Sequence, residues 1–149
     1  MARRRAMADS STPLDQTSRP SVPFHNLRTF RDKDGHGYAV VAHAPDIHLV
    51  TDIWMGAYGP PKNFRAVLDF ICETIRQHEC RYWLADLRKL NQSLTGHEAW
   101  LAEDVTPRVV EAGLIREAVV LPDDPATPER FDAAGSGMEA LNRITDGRI

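Results

Sequence analysis

"YWLADLRKLNQSLTGHEAW", residues 82–100, is the stretch on which the fold turns. Together with Arg81, its first half reads "RYWLADL", a near-continuous apolar run ending at Asp86 and Leu87. A short run of this kind suits a central strand covered on both faces. The polar loop "NQSLTG" follows, and then "GHEAWLAEDV", where Trp100, Leu101 and Val105 fall on one helical face. A strand followed directly by a helix is the unit from which α/β sheets are built.

Upstream, "FHNLRTF" reads as a short strand and "RDKDGHG" as turn chemistry, since Gly35 and Gly37 take positive φ cheaply. "YAVVAHA" (Tyr38–Ala44) and "IHLVTDIWM" (Ile47–Met55) make a hairpin across Pro45-Asp46. The second strand alternates. Hydropathy places Ile47, Leu49, Ile53 and Met55 on the inner face, and His48, Val50, Asp52 and Trp54 on the other. "NFRAVLDFICETIRQHE" is the clearest helix, with Phe64, Val67, Leu68, Ile71, Cys72 and Ile75 on one face and Pro60-Pro61 at its start. Downstream, Thr106 as cap and Pro107 at a first helical position restart the second helix. Gly113 stops it, and "LIREAVVLP" is another buried strand. "DDPATPERFDAAGSG" is a loop and "MEALNRI" a last amphipathic turn or two. The order β-β-α-β-α-β-α, with an extra strand in front, predicts an α/β fold with a four- or five-stranded mixed sheet and right-handed crossovers.

The bulk numbers fit one domain: 149 residues, 42% hydrophobic, 26% charged. Residues 1–23 lack an apolar period and predict a disordered tail, leaving 24–149 as the folded unit. A net charge of -3 argues against nucleic acid as the main partner. No run of 18 apolar residues exists to span a membrane, and no apolar segment follows Arg3, Arg4 and Arg5 to make a secretory signal. With only Cys72 and Cys80, a cytoplasmic chain with reduced thiols is expected.

"IWMG", a long helix, "WLADLRKL" and "HEAWL" together resemble the STAS, or SpoIIAA-like, fold, and more closely the bacterial STAS/SEC14-type proteins. The resemblance rests on Asp86 and Arg88 at a strand end, Trp100 and Pro107 in the following helix, Gly113-Leu114, and Ala118-Val119-Val120. It spans roughly Tyr38 to Ile144. It implies a cytoplasmic signalling module that works by protein interaction, with a kinase or other regulator as partner. In the anti-sigma-factor antagonists of this fold, a serine in an Asp-Ser-x-Gly motif at a helix start is phosphorylated. The equivalent place here is "NQSLTG", which lacks the Asp-Ser pair and leaves Ser93 and Thr95 as hydroxyl candidates.

Each candidate site has a plain reading beside the functional one. "TGHE" is a capping box, with Thr95 as N-cap and Glu98 three residues on; a phosphate there would also suit a helix N-terminus. Asp86 and Arg88 lie at a strand's carboxyl end, where open α/β sheets place ligands. Arg88 with Arg108 and His97 would hold a carboxylate or phosphate through the guanidinium fork, and His97 with Asp86 is the pair an enzyme would need. Six scattered histidines show no metal spacing, so no metal and no cofactor are expected. Cys72 reads as core and Cys80 as an exposed, unreactive thiol. Trp83 and Trp100 read as core, and Trp54 as an exposed marker of a dimer or partner surface. "GSG" at 135–137 is too short for a phosphate loop.

These readings point first to a non-enzymatic interaction module, homodimeric on general frequency. The alternative is a binding protein for a small anionic or amphipathic, lipid-like ligand held in a cavity under the loop from Asp86 to Thr95. The first predicts an exposed apolar patch near Trp54 or the "NQSLTG" loop, and no enclosed cavity. The second predicts a pocket lined by Trp and Leu with Arg88 at its mouth.

Overall fold

In the computed structural model of the chain, the described residues are 21–123, 139, 142–143 and 145–147. The expected tail up to residue 20 and the loop and "GSG" of residues 124–138 lie outside them. Of the expected last helix, Glu139, Asn142 and Arg143 are helical.

Five strands form one mixed sheet in the order β1-β2-β3-β4-β5: β1 (His25–Arg31), β2 (Gly37–Ala44), β3 (Leu49–Gly56), β4 (Tyr82–Leu90) and β5 (Arg116–Val120). The first three pair antiparallel, and β3-β4 and β4-β5 pair parallel. The α/β class and mixed sheet follow the expectation, with "FHNLRTF" supplying the edge strand. Asp32 closes the β1-β2 turn by accepting the N–H groups of Asp34 and His36, with Gly35 at φ 85°. Between β2 and β3 the chain makes a 3-10 turn, Pro45–Ile47, and His48 adopts a left-handed φ of 53°. β3 therefore starts two residues later than hydropathy suggested.

Helix α1 (Pro61–Gln77) crosses from β3 to β4 and buries Phe64, Val67, Leu68, Ile71, Cys72 and Ile75, the stripe its 3.6-residue period marks, together with Thr74. Each of the larger side chains contributes roughly 1.5–3 kcal/mol on leaving water. The β4-to-β5 connection holds α2 (Glu98–Trp100), a π-helical turn (Leu101–Val105) and α3 (Thr106–Glu111). The π turn lies where the sequence suggested a restart. Pro107 has no N–H for the Glu103 carbonyl, and its ring crowds that carbonyl. The chain widens instead of breaking: both the N–H and the hydroxyl of Thr106 reach back five residues to the Leu101 carbonyl, the hydroxyl at 2.8 Å. Thr106 is thus no N-cap. Gly113, at φ 103°, does end the helix.

Both helical segments pack on one face of the sheet, the face carrying Val41, Val50, Trp54, Trp83, Ala85 and Leu87. The opposite face presents Ile53 and Tyr82 to solvent. The inner face of β3 is therefore the reverse of the one hydropathy favours: Val50, Asp52 and Trp54 point inward, and Leu49, Ile53 and Met55 do not. Among the described residues no helix is long and apolar enough to cross a membrane.

Candidate functional site

The reversal of β3 is explained by how Asp52 is satisfied. Trp54 lies two residues on, so its side chain shares Asp52's face of the strand. Trp83 on β4 is in register with Val50, one step along that same face. The two indole N–H groups converge on one carboxylate. Trp54 Nε1 donates to Oδ2 at 2.5 Å and Trp83 Nε1 to Oδ1 at 2.6 Å. Buried indoles need an acceptor and a buried carboxylate needs donors, and each group meets the other's requirement. Asp52 is 1% exposed and Trp54 is 1% exposed. Burial pushes the Asp52 carboxyl up to about 6, outweighing the two indole hydrogen bonds that favour its charged form.

A second carboxyl joins it from the next strand. Glu117 on β5 pairs in register with Trp83 on the same inward face. The residue is half-buried, but its carboxyl end sits deep among protein atoms, and desolvation, with the Asp52 charge adding to it, pushes it up to about 8. Both carboxyls line a partly open cavity of about 60 Å³ between sheet and helices. Its walls are Trp54, Trp83, Phe64, Leu68, Leu101 and Val109 among others, and among the described residues no Lys, Arg or His lines it. The hydroxyl of Thr106, also on the wall, is engaged by the Leu101 carbonyl.

The "NQSLTG" loop closes one end of this cavity with Leu94, which is buried and lines it. The loop is fastened to the segment before α1. Gly59 exchanges two hydrogen bonds with the Gln92 amide, each 2.9 Å, and the Tyr58 hydroxyl donates to the Ser93 carbonyl at 2.6 Å. His97 is buried against Phe64, with ring centroids 4.3 Å apart, and its Nε2 lies 3.3 Å from the Tyr58 hydroxyl. Its Nδ1 has no hydrogen-bond partner among the described residues, and burial lowers its basicity.

The other sequence candidates are dispersed. Asp86 and Arg88 form a bidentate ion pair, 2.9 and 2.8 Å, on the sheet face away from the helices. That pair holds the Asp86 carboxyl below the usual range. Arg108 reaches Asp69 at 2.6 Å and Asp104 at 3.0 Å, clamping α1 to the π turn. Arg88, Arg108 and His97 therefore have separate partners and do not make one anion site. Trp54 is core rather than surface, and Cys80 is buried, with burial raising the Cys72 and Cys80 thiols to about 11. The Thr95 capping box is replaced as well. Thr95 bonds to Ser93, Oγ1 to Oγ at 2.7 Å, while the Glu98 carboxylate takes the Gly96 N–H at 2.7 Å.

Asp32, Asp34 and His36 have donor atoms close enough to share a cation, but Asp32 is already explained by the turn it closes. A wider hollow beside them, about 610 Å³, runs along the exposed turn residues and the start of α1. Asp52 and Glu117 were missed in the sequence. The available signal was a charged residue on an alternating strand with Trp at i+2, and a glutamate inside the apolar run "LIREAVVLP". Comparison with known proteins gives no matching family model, no matching curated protein and no matching solved structure.

Proposed function

We propose that this chain is a non-enzymatic binding protein for a small amphipathic ligand, held between sheet and helices on a scaffold of STAS-like type. The observation that carries this reading is the apolar, aromatic-walled cavity into which Asp52 and Glu117 project. Ligand sites are mostly apolar concavities with a few polar groups that fix orientation, and this cavity has that composition. The anionic half of the earlier expectation is given up, because the cavity offers carboxyls and no cation. The interaction-module reading expected an exposed apolar patch near Trp54 or the "NQSLTG" loop, and of these Trp54 is buried. Among the described residues on the cavity wall the hydroxyl is that of Thr106, which donates to the Leu101 carbonyl.

The test is binding of three probes of one length and different charge, hexylamine, 1-hexanol and hexanoate. Calorimetry and the fluorescence of Trp54 and Trp83 are the readouts. Saturable, one-to-one binding of at least one probe, lost on filling the cavity with Leu68→Trp, is expected. Failure of all three would make the cavity a packing void and return the protein to the interaction-module reading.

A further inference from the structure

The chemistry of the cavity goes further than an amphipathic ligand, and the step taken here rests on the pocket reading above. We infer that the cavity is a site for a small organic cation, an alkylammonium group seated between the Asp52 and Glu117 carboxyls with its apolar part against Trp54, Phe64 and Trp83.

The inference starts from what the two carboxyls lack. Asp52 receives hydrogen bonds from two indoles, and its own backbone N–H also favours the charged form; a carboxylate has about four acceptor positions. Glu117 receives no hydrogen bond from the described residues, and the neighbour that shifts it is the like-charged Asp52. From the sheet, the charged groups that bear on this pair are each other and Asp86, which acts on Asp52 from the far face. From α1, the π turn and α3, the lining side chains are apolar except Thr106. Among the described residues no cation compensates the two carboxyls facing one apolar space. A buried charge is tolerated when it is paired and hydrogen-bonded. A guest with positive charge and several N–H donors supplies both.

Other guests fit less well. A carboxylate or phosphate would place a third negative group beside two others. An alcohol brings one donor and no charge. A divalent metal ion needs six or more oxygen ligands or retained waters. Two carboxyls in an otherwise apolar wall supply few of these. An ammonium brings three donors and is also attracted to the aromatic faces around it. A cavity of about 60 Å³ takes the ammonium and the first carbons, and the partly open side lets the rest of the chain leave.

Binding of a cation favours the ionised form of both carboxyls, so it releases protons wherever they are protonated in the free protein. Glu117 at about 8 and Asp52 at about 6 place that release between roughly pH 5 and pH 9. An alkylammonium keeps its charge up to about pH 10, as lysine does.

The experiment compares hexylamine, 1-hexanol, hexanoate and magnesium chloride by calorimetry across that pH range. The proteins are the full chain and its Glu117→Gln and Asp86→Asn variants. Hexylamine is expected to bind at least about tenfold more tightly than 1-hexanol at about pH 8.5, with affinity rising with pH. Glu117→Gln should weaken hexylamine about tenfold, flatten its pH dependence, and leave 1-hexanol within about twofold, which shows that the pocket is still formed. Asp86→Asn, on the other face of the sheet and the weakest of the influences on Asp52, should change either by less than about twofold. Equal binding of 1-hexanol and hexylamine, preference for hexanoate, or competition by magnesium at similar concentration would each overturn the cation site while leaving a ligand pocket in place. Silence from every organic probe would remove the pocket reading itself, so the two failures are distinguishable.

Discussion

Two aspartates on adjacent strands have opposite fates. Asp86 on β4 is in register with Ile53, on the face away from the helices; Asp52 on β3 is in register with Ala85, on the face beneath them. Asp86 finds its partner two residues along its own strand, in Arg88, whose side chain is 64% exposed. Asp52 finds its partners in two tryptophans, one of them 31 residues away. The first pair can be seen in the sequence and is worth little, because water competes for the exposed Arg88 guanidinium. The second cannot be seen there and organises the interior, because in a dry environment each unpaired group would cost several times more. A conspicuous charged pair marks a solved problem. A lone carboxyl among tryptophans marks a place where the fold has arranged something.

The comparison is broken or sharpened most strongly at Asp52. Asp52→Ala leaves two buried indole N–H groups without an acceptor, and is expected to lower stability by about 3–5 kcal/mol. A urea titration should show the midpoint fall with an unchanged slope. A loss below about 1 kcal/mol would mean that the indoles find water and that Asp52 is no more a structural anchor than Asp86.

Glu117 comes next, through pH. Its folded value of about 8 stands above an ordinary 4.5, and Asp52 at about 6 above 3.8. The folded protein therefore holds more protons than the unfolded chain through this window. Stability from both groups is fully present below the ordinary values and is lost as pH rises through the folded ones. Glu117→Gln removes one of the two ionisations, and should make the protein more stable than the parent by about 1–3 kcal/mol at about pH 9. Thermal melts of the two proteins should converge at about pH 4.5, where Glu117 is protonated in the folded parent. Parallel melting curves at all pH values would place the Glu117 carboxyl in water and not in the cavity.

The smallest effect belongs to Asp86. Asp86→Asn removes a pair whose Arg88 side is open to solvent and should cost no more than about 1 kcal/mol, less at high salt. A chemical denaturation series at low and high salt measures it. A cost equal to that of Asp52→Ala would erase the distinction between the two faces.

Legibility in the sequence followed range. The buried stripe of α1 from Phe64 to Ile75 was readable because helical neighbours lie three and four residues apart. The stop at Gly113 was readable because a left-handed residue there favours glycine. The alternation of β3 was readable too, but its polarity was not. Hydropathy ranks Ile53 and Leu49 above Asp52, and the indoles of Trp54 and Trp83 on its carboxylate offset that ranking. Thr95 and Thr106 failed as caps for a similar reason. Ser93 claims the first hydroxyl, and the Leu101 carbonyl, displaced by the demands of Pro107, claims the second. Trp54 looked like a surface residue because its strand neighbours are polar, and it is core because one of those neighbours is its acceptor.

By itself the sequence determined the α/β order of elements, because the 2.0 and 3.6 periods and the backbone preferences of Pro and Gly act within a few residues. Only the tertiary structure decided which face of β3 is inside, that Trp54 and Trp83 meet on one carboxylate, and that Glu117 joins them from the edge strand. Those choices depend on register between strands far apart in the chain and on desolvation, and burial exists only once the sheet and helices have closed on one another.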